Sequence, residues 1–107
     1  MKNIESGFLH VPIMEEFFQN KKKNESIMWI PIQCSLLFSE EFQEISPINR
    51  GIFISFMLLC GVRGSFQIPF NINYLANTLG VNRKTLVGKI DQLIGVNLLH
   101  KRERKIE

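Results

Sequence analysis

The chain has 107 residues, 45% of them hydrophobic, with a net charge of +3. That is enough for one compact domain with a modest core and too little for two ordinary ones. Gly and Pro are sparse and no segment is repetitive or low in complexity, which excludes extensive disorder away from the ends, while the most apolar run, GIFISFMLLCGV at 51–62, falls short of the roughly 20 residues of a membrane span.

Taken from the start, residues 1–27 read as an N-terminal arm and linker. FLHVPIMEEFFQN suits a short amphipathic helix, whose apolar face carries Phe8, Leu9, Ile13, Phe17 and Phe18. Such a face must be covered, either by the main domain or by a second copy of the chain, which makes the arm a candidate for homo-oligomer formation. KKKNES follows as a polar linker, with Lys21, Lys22 and Lys23 either solvated or touching phosphates. Glu5, Glu15 and Glu16 interrupt any secretory signal pattern, so a cytoplasmic protein is expected. Cys34 and Cys60 both lie in apolar stretches with no His or Cys at ligand spacing. They are expected as buried, reduced thiols, with a disulfide between them as the alternative.

Residues 28–107 carry the main domain. MWIPIQ at 28–33 predicts a short edge strand, because β-branched and aromatic residues flank Pro31, and Trp29 is expected as a core anchor. Ser39 before Glu40 and Glu41 predicts an N-cap and a short helix to about Ile45. Ser46-Pro47 predicts a second cap and a helix to about Cys60, apolar nearly all round and therefore buried. Gly61 to Gly64 should end it, and SFQIPF at 65–70 suits an extended segment. Asn71 or Asn73 caps a helix through Leu79, and Asn82 caps another through about Ile94, with Gly95 expected as its left-handed terminus. VNLLHKRERKIE then reads as a strand that turns basic, the first arm of a β-wing.

LANTLGVNRKTLVGKIDQL, residues 75–93, holds the most informative spacing. Ala76, Gly80, Leu86 and Ile90 fit a helix-turn-helix: a small residue for close helix approach, a glycine for the φ > 0 turn, and a buried stripe of Leu86, Ile90 and Leu93 on the second helix. The context is also basic. Residues 81–107 hold seven basic against three acidic groups, whereas the first 80 hold six against seven. Strand, buried helix, extended segment, helix pair, and strand entering a basic tail is the element order of a winged helix. The fold class expected is therefore mostly α with a small β component, a winged helix-turn-helix.

WIPIQCSLLFSEEFQEISP, the apolar helix after it, SFQIPFNINYLANTLGVNRKTLVGKIDQLIGVNLL and the basic tail resemble the winged-helix N-terminal domains of phage replisome organisers and related DnaD-like replication initiation proteins. The resemblance spans about residues 28–104 and is one of pattern more than of diagnostic residues. It implies a domain that binds origin DNA, oligomerises and helps to load a replicative helicase. The chain departs from the family in lacking a clear second wing strand and the C-terminal region that usually recruits the helicase.

On the second helix, 100° per residue sets Lys84, Thr85, Gly88 and Gln92 opposite the core stripe, with Arg83 at the N-terminal flank. Arg83 and Lys84 suit guanine O6 and N7, and Gln92 suits adenine. Asn82, Thr85 and the free N–H groups of the first turn suit a phosphate. Lys89 is placed at the DNA backbone, and Lys101, Arg102, Arg104 and Lys105 approach phosphates or the minor groove from the wing. Gly88 either lets the helix backbone come close to DNA or makes room for a protein contact. Asp91 fits least, since phosphates repel it unless it meets a cytosine amino group or a basic side chain. His10 and His100 lie far apart in sequence without a nucleophile or carboxylate pair, and GVRGSF lacks the lysine of a phosphate loop. No catalysis, metal or cofactor is expected. Double-stranded DNA is the expected partner. A transcriptional repressor of the same fold and a winged-helix protein-interaction module are the alternatives.

Overall fold

The computed structural model describes residues 7–19 and 29–102, apart from the side chains of Glu16, Phe17 and Gln19. Lys21, Lys22, Lys23, Arg104 and Lys105 lie outside the described residues. In chain order the elements are β1 (Phe8–His10), α1 (Pro12–Gln19), a 3₁₀-helical turn (Cys34–Phe38), α2 (Glu40–Gln43), α3 (Pro47–Arg63), β2 (Gln67–Pro69), α4 (Ile72–Leu79), α5 (Arg83–Gly95) and β3 (His100–Arg102). The chain is mostly helical with one small antiparallel sheet, the winged helix-turn-helix class expected from the sequence.

Local chemistry fixes the helix boundaries. The Ser46 hydroxyl accepts the Asn49 N–H at 3.2 Å and Pro47 occupies the first turn of α3, an arrangement worth about 1 kcal/mol over an uncapped start. The helix runs through Gly61 to Arg63, one turn past the expected end, and closes on Gly64 at φ 71°. Asn71 is the cap of α4, its side-chain oxygen Oδ1 accepting the Tyr74 N–H at 3.0 Å. Gly80, at φ 70°, makes the left-handed turn into α5. The left-handed role assigned to Gly95 falls instead to Asn97 at φ 69°, because α5 includes Gly95 and closes when the N–H groups of Leu98 and Leu99 bond the Leu93 carbonyl.

The sheet departs most from expectation. Its strand order is β2-β1-β3, and β1 runs antiparallel to both neighbours, with Leu9 opposite Ile68 on one side and Lys101 on the other. Residues 8–19 are thus no appendage: β1 pairs with β3 where the second strand of a wing would lie. Leu9, Val11, Met14 and Phe18 are all buried in the chain's own core, while Phe8 is half-buried and Ile13 exposed. MWIPIQ, by contrast, supplies no strand within its described residues 29–33. Pro31 lacks a ladder donor, and the middle of the sheet is already filled. Trp29 is 76% exposed rather than a core anchor.

The core gathers α3, α4, α5 and the sheet around Phe53, Phe56, Leu75, Leu86, Ile90, Leu93 and Leu99. Each such side chain gains about 1.5–3 kcal/mol from burial. The two cysteines separate: both are free, Cys60 buried as expected and Cys34 exposed on the 3₁₀ turn. Burial pushes the Cys60 thiol up to about 12. Among the described residues no helix is long and apolar enough to cross a membrane.

The two histidines, distant in sequence, are partners across β1 and β3. Their rings stack at 5.9 Å, and the His10 Nε2 lies 3.0 Å from a Glu15 carboxylate oxygen. Burial lowers the His10 pKa, against the raising effect of the Glu15 hydrogen bond. Since a carboxylate oxygen accepts, the His10 Nε2–H is the donor in that bond.

Because Leu9 is fully buried on the central strand, Leu9→Ala should cost about 2–5 kcal/mol of unfolding free energy in a urea titration. A loss below about 0.5 kcal/mol would mean that β1 is dispensable to the fold.

Candidate nucleic-acid interface

The helix pair is positioned by its buried side. Ile72, Leu75 and Ala76 of α4 and Leu86, Ile90 and Leu93 of α5 are all in the core. The small side chain of Ala76 lies at the closure of the turn, where its carbonyl accepts the N–H of Val81 at 3.1 Å. With one stripe of α5 fixed inward, the rest of its circumference is determined. Asn82, Arg83, Lys84, Thr85, Gly88, Asp91 and Gln92 are exposed, and Lys89 is half-buried at the flank. The 13 residues of α5 give a rod about 20 Å long.

Arg83, Lys84 and Thr85 come together on the first turn, with Gly88 one turn further along the outer face. Neither basic side chain has an ion-pair partner among the described residues. A Cβ built on Gly88 meets nothing within 4 Å. No contact among the described residues therefore accounts for a glycine in mid-helix, where it costs roughly 0.5–1 kcal/mol relative to Ala. Val87, 37% exposed, borders the same face.

Three sequence-derived roles change on inspection. The Asn82 side-chain oxygen already accepts the N–H groups of Lys84 and Thr85, at 2.9 and 3.3 Å. It is the helix cap, so those donors are not open to a phosphate. Gln92 is drawn off the outer face: its side-chain carbonyl accepts from the Nδ2 of Asn49, a fully buried residue of α3. An adenine contact would require breaking that bond. Lys101 places its ammonium 5.5 Å from the centre of the Phe70 ring, a cation–π contact that holds it at the end of β2 rather than free on a wing tip. Arg102 remains exposed.

Asp91 is exposed beside these groups, with no ion-pair partner among the described residues. The positive end of the face is thus its first two turns. Sequence reasoning missed the Asn49–Gln92 bond and the Lys101–Phe70 contact, since both join residues more than 30 positions apart. An Asn in the apolar stretch of α3 was the one available hint, because a buried carboxamide needs a partner.

A groove of about 660 Å³ is lined by Pro12, Met14, Pro31, Leu36 and Met57 among others, with no titratable side chain among the described lining residues. Arg50 also serves the fold. Its Nε donates to the Phe42 carbonyl at 3.0 Å while the guanidinium sits over the Phe42 ring. No protein-family model, curated protein or solved structure matches the chain.

Gly88→Ala should raise the unfolding free energy by about 0.5–1 kcal/mol, measured by urea or thermal melting. A destabilised variant would show instead that the outer face of α5 is occupied in the protein in solution.

Proposed function

We propose that this domain binds double-stranded DNA with α5 in the major groove, entering by its first two turns, and with β3 against the backbone. The observation that carries this reading is the combination on one exposed helix face of Arg83, Lys84 and Thr85 with a glycine that no internal contact explains. A groove about 12 Å wide admits a helix, and close approach of its backbone favours a residue without a side chain at mid-face. Arg83 and Lys84 are the base-reading candidates, at guanine O6 and N7. Lys89 and Arg102 serve the phosphates, which position the helix without specifying sequence.

Two of the corrected roles and the exposed Asp91 narrow the interface. Gln92 stays with Asn49, Asn82 stays with the helix N-terminus, and Asp91 keeps the second half of α5 away from phosphates. In the resemblance to replisome organisers the role of such a domain is origin recognition in the cytoplasm, with a helicase or its loader as the next partner. A repressor of the same fold would use the same face. Val87 and Asp91 favour the protein-interaction reading, since both are exposed where a DNA-reading helix is usually polar or basic.

Fluorescence anisotropy of labelled duplexes, titrated at several salt concentrations, separates these readings. Each phosphate contact contributes about −0.9 to the slope of log K against log salt, so the basic groups of α5 and β3 predict roughly −3 to −5. Arg83→Ala with Lys84→Ala should weaken binding by at least about tenfold, and Gly88→Ala should weaken it without loss of stability. Affinity indifferent to both changes, or absent at low salt, would favour a protein partner.

A further inference from the structure

We propose that the His10 imidazole is a pH-sensitive latch on the sheet: neutral, it lets β3 lie against β1, and a second proton on the ring releases β3. This inference is independent of the DNA reading. His10 is 5% exposed on the central strand and faces His100 across the ladder, ring stacked on ring at 5.9 Å. Its Nε2–H is already given to the Glu15 carboxylate at 3.0 Å, so an incoming proton must go to Nδ1. That nitrogen is buried and has no hydrogen-bond partner among the described residues. As a bare lone pair it costs little, but as the N–H of a cation it is a buried donor without an acceptor.

The charges around the ring are divided by element. β3 presents His100 and Arg102, which share a face of their strand by alternation, while Lys101 belongs to the other face, over the Phe70 ring. Arg102 and a charged His100 repel an imidazolium at His10, and Glu15 on α1 attracts it. From the β2 side the ring meets Phe66 edge-on at 5.0 Å, and its ladder partner there is the uncharged Gln67. Burial is the largest cause holding the His10 pKa below its ordinary 6.5, with Arg102 and His100 acting in the same sense and Glu15 in the opposite one.

The repulsion therefore acts on β3 rather than on β2. Ile68 anchors β2 in the core at 0% exposure, whereas Lys101 and Arg102 are exposed. The ladder between β1 and β3 is three residues long, and pairings so short are marginal. A ring whose pKa is held down by the pairing binds fewer protons in the paired form than in the released one. The pairing is thus at full strength above about pH 6.5 and weakens as the pH falls toward the pKa of the paired His10. The strand set free is the basic one, so the latch decides whether Lys101 and Arg102 are held on the domain.

Hydrogen exchange of the full chain, followed by amide NMR at pH 7 and pH 5 and corrected for intrinsic rates, tests the proposal. Protection of the amides that pair β1 with β3 should fall by at least about threefold at pH 5, while that of Ile90 and Leu93 in α5 falls less. His10→Phe keeps a ring that takes no proton and should abolish this selective loss. Glu15→Gln removes the charge that favours the imidazolium and should move the loss to lower pH. In the wild-type chain the His10 ring resonances should titrate below pH 6.5 in step with the loss, a readout that needs no variant to fold. The proposal is overturned if β3 protection does not change, falls equally with that of α5, or falls just as far in a folded His10→Phe chain.

Discussion

The three-stranded sheet, and with it the basic strand β3, depends on a three-residue strand drawn from the N-terminal region. Leu9 lies between Ile68 and Lys101, and β2 and β3 touch β1 rather than each other. Two short edge strands without a centre would leave their backbone donors and acceptors unpaired, and isolated pairs of such length are marginal in water. The central strand also carries His10, which meets His100 across the ladder and Glu15 in the first turn of α1. The basic strand is therefore held by residues some 90 positions earlier in the chain. Pairings of that span close late and slowly, because the loop must close before the contacts reward it.

The same arrangement gives β3 an antiparallel partner from residues 8–10, in the place where the second strand of a wing would lie. Phe8 lies opposite Arg102, so the start of β1 and the end of β3 meet where a wing hairpin would turn. No hairpin joins β3 to β1.

How much of this could be read from the sequence follows from the range of each interaction. The caps at Ser39, Ser46, Asn71 and Asn82, the turn at Gly80 and the buried stripe of α5 were legible, because each is set within a few residues of itself. β1 was not: three residues give too little alternation to mark a strand, and its partners lie far along the chain. MWIPIQ had the better strand composition and lost to tertiary context, as β-propensity often does. Exposure of Cys34 and Trp29 likewise depends on what the surrounding segments leave uncovered. Of the site, the basic first turn of α5 and the open Gly88 were legible. The withdrawal of Gln92 and Lys101 was not, since it is decided by Asn49 and Phe70.

Two helices thus keep faces that the described residues leave exposed, each with a glycine that has open space above it. Their chemistry differs. On α5 the glycine sits among Arg, Lys and Thr, which suits a polyanion; on α3 it sits among Ile, Leu and Val, which suits an apolar surface. The most direct measurement of the central claim is a two-dimensional amide NMR titration of the full chain with a short DNA duplex. If α5 enters the groove, the largest shifts should fall on residues 83–89 and 101–102, and added salt should reverse them. Shifts centred on α3, or none at equimolar duplex in low salt, would contradict it.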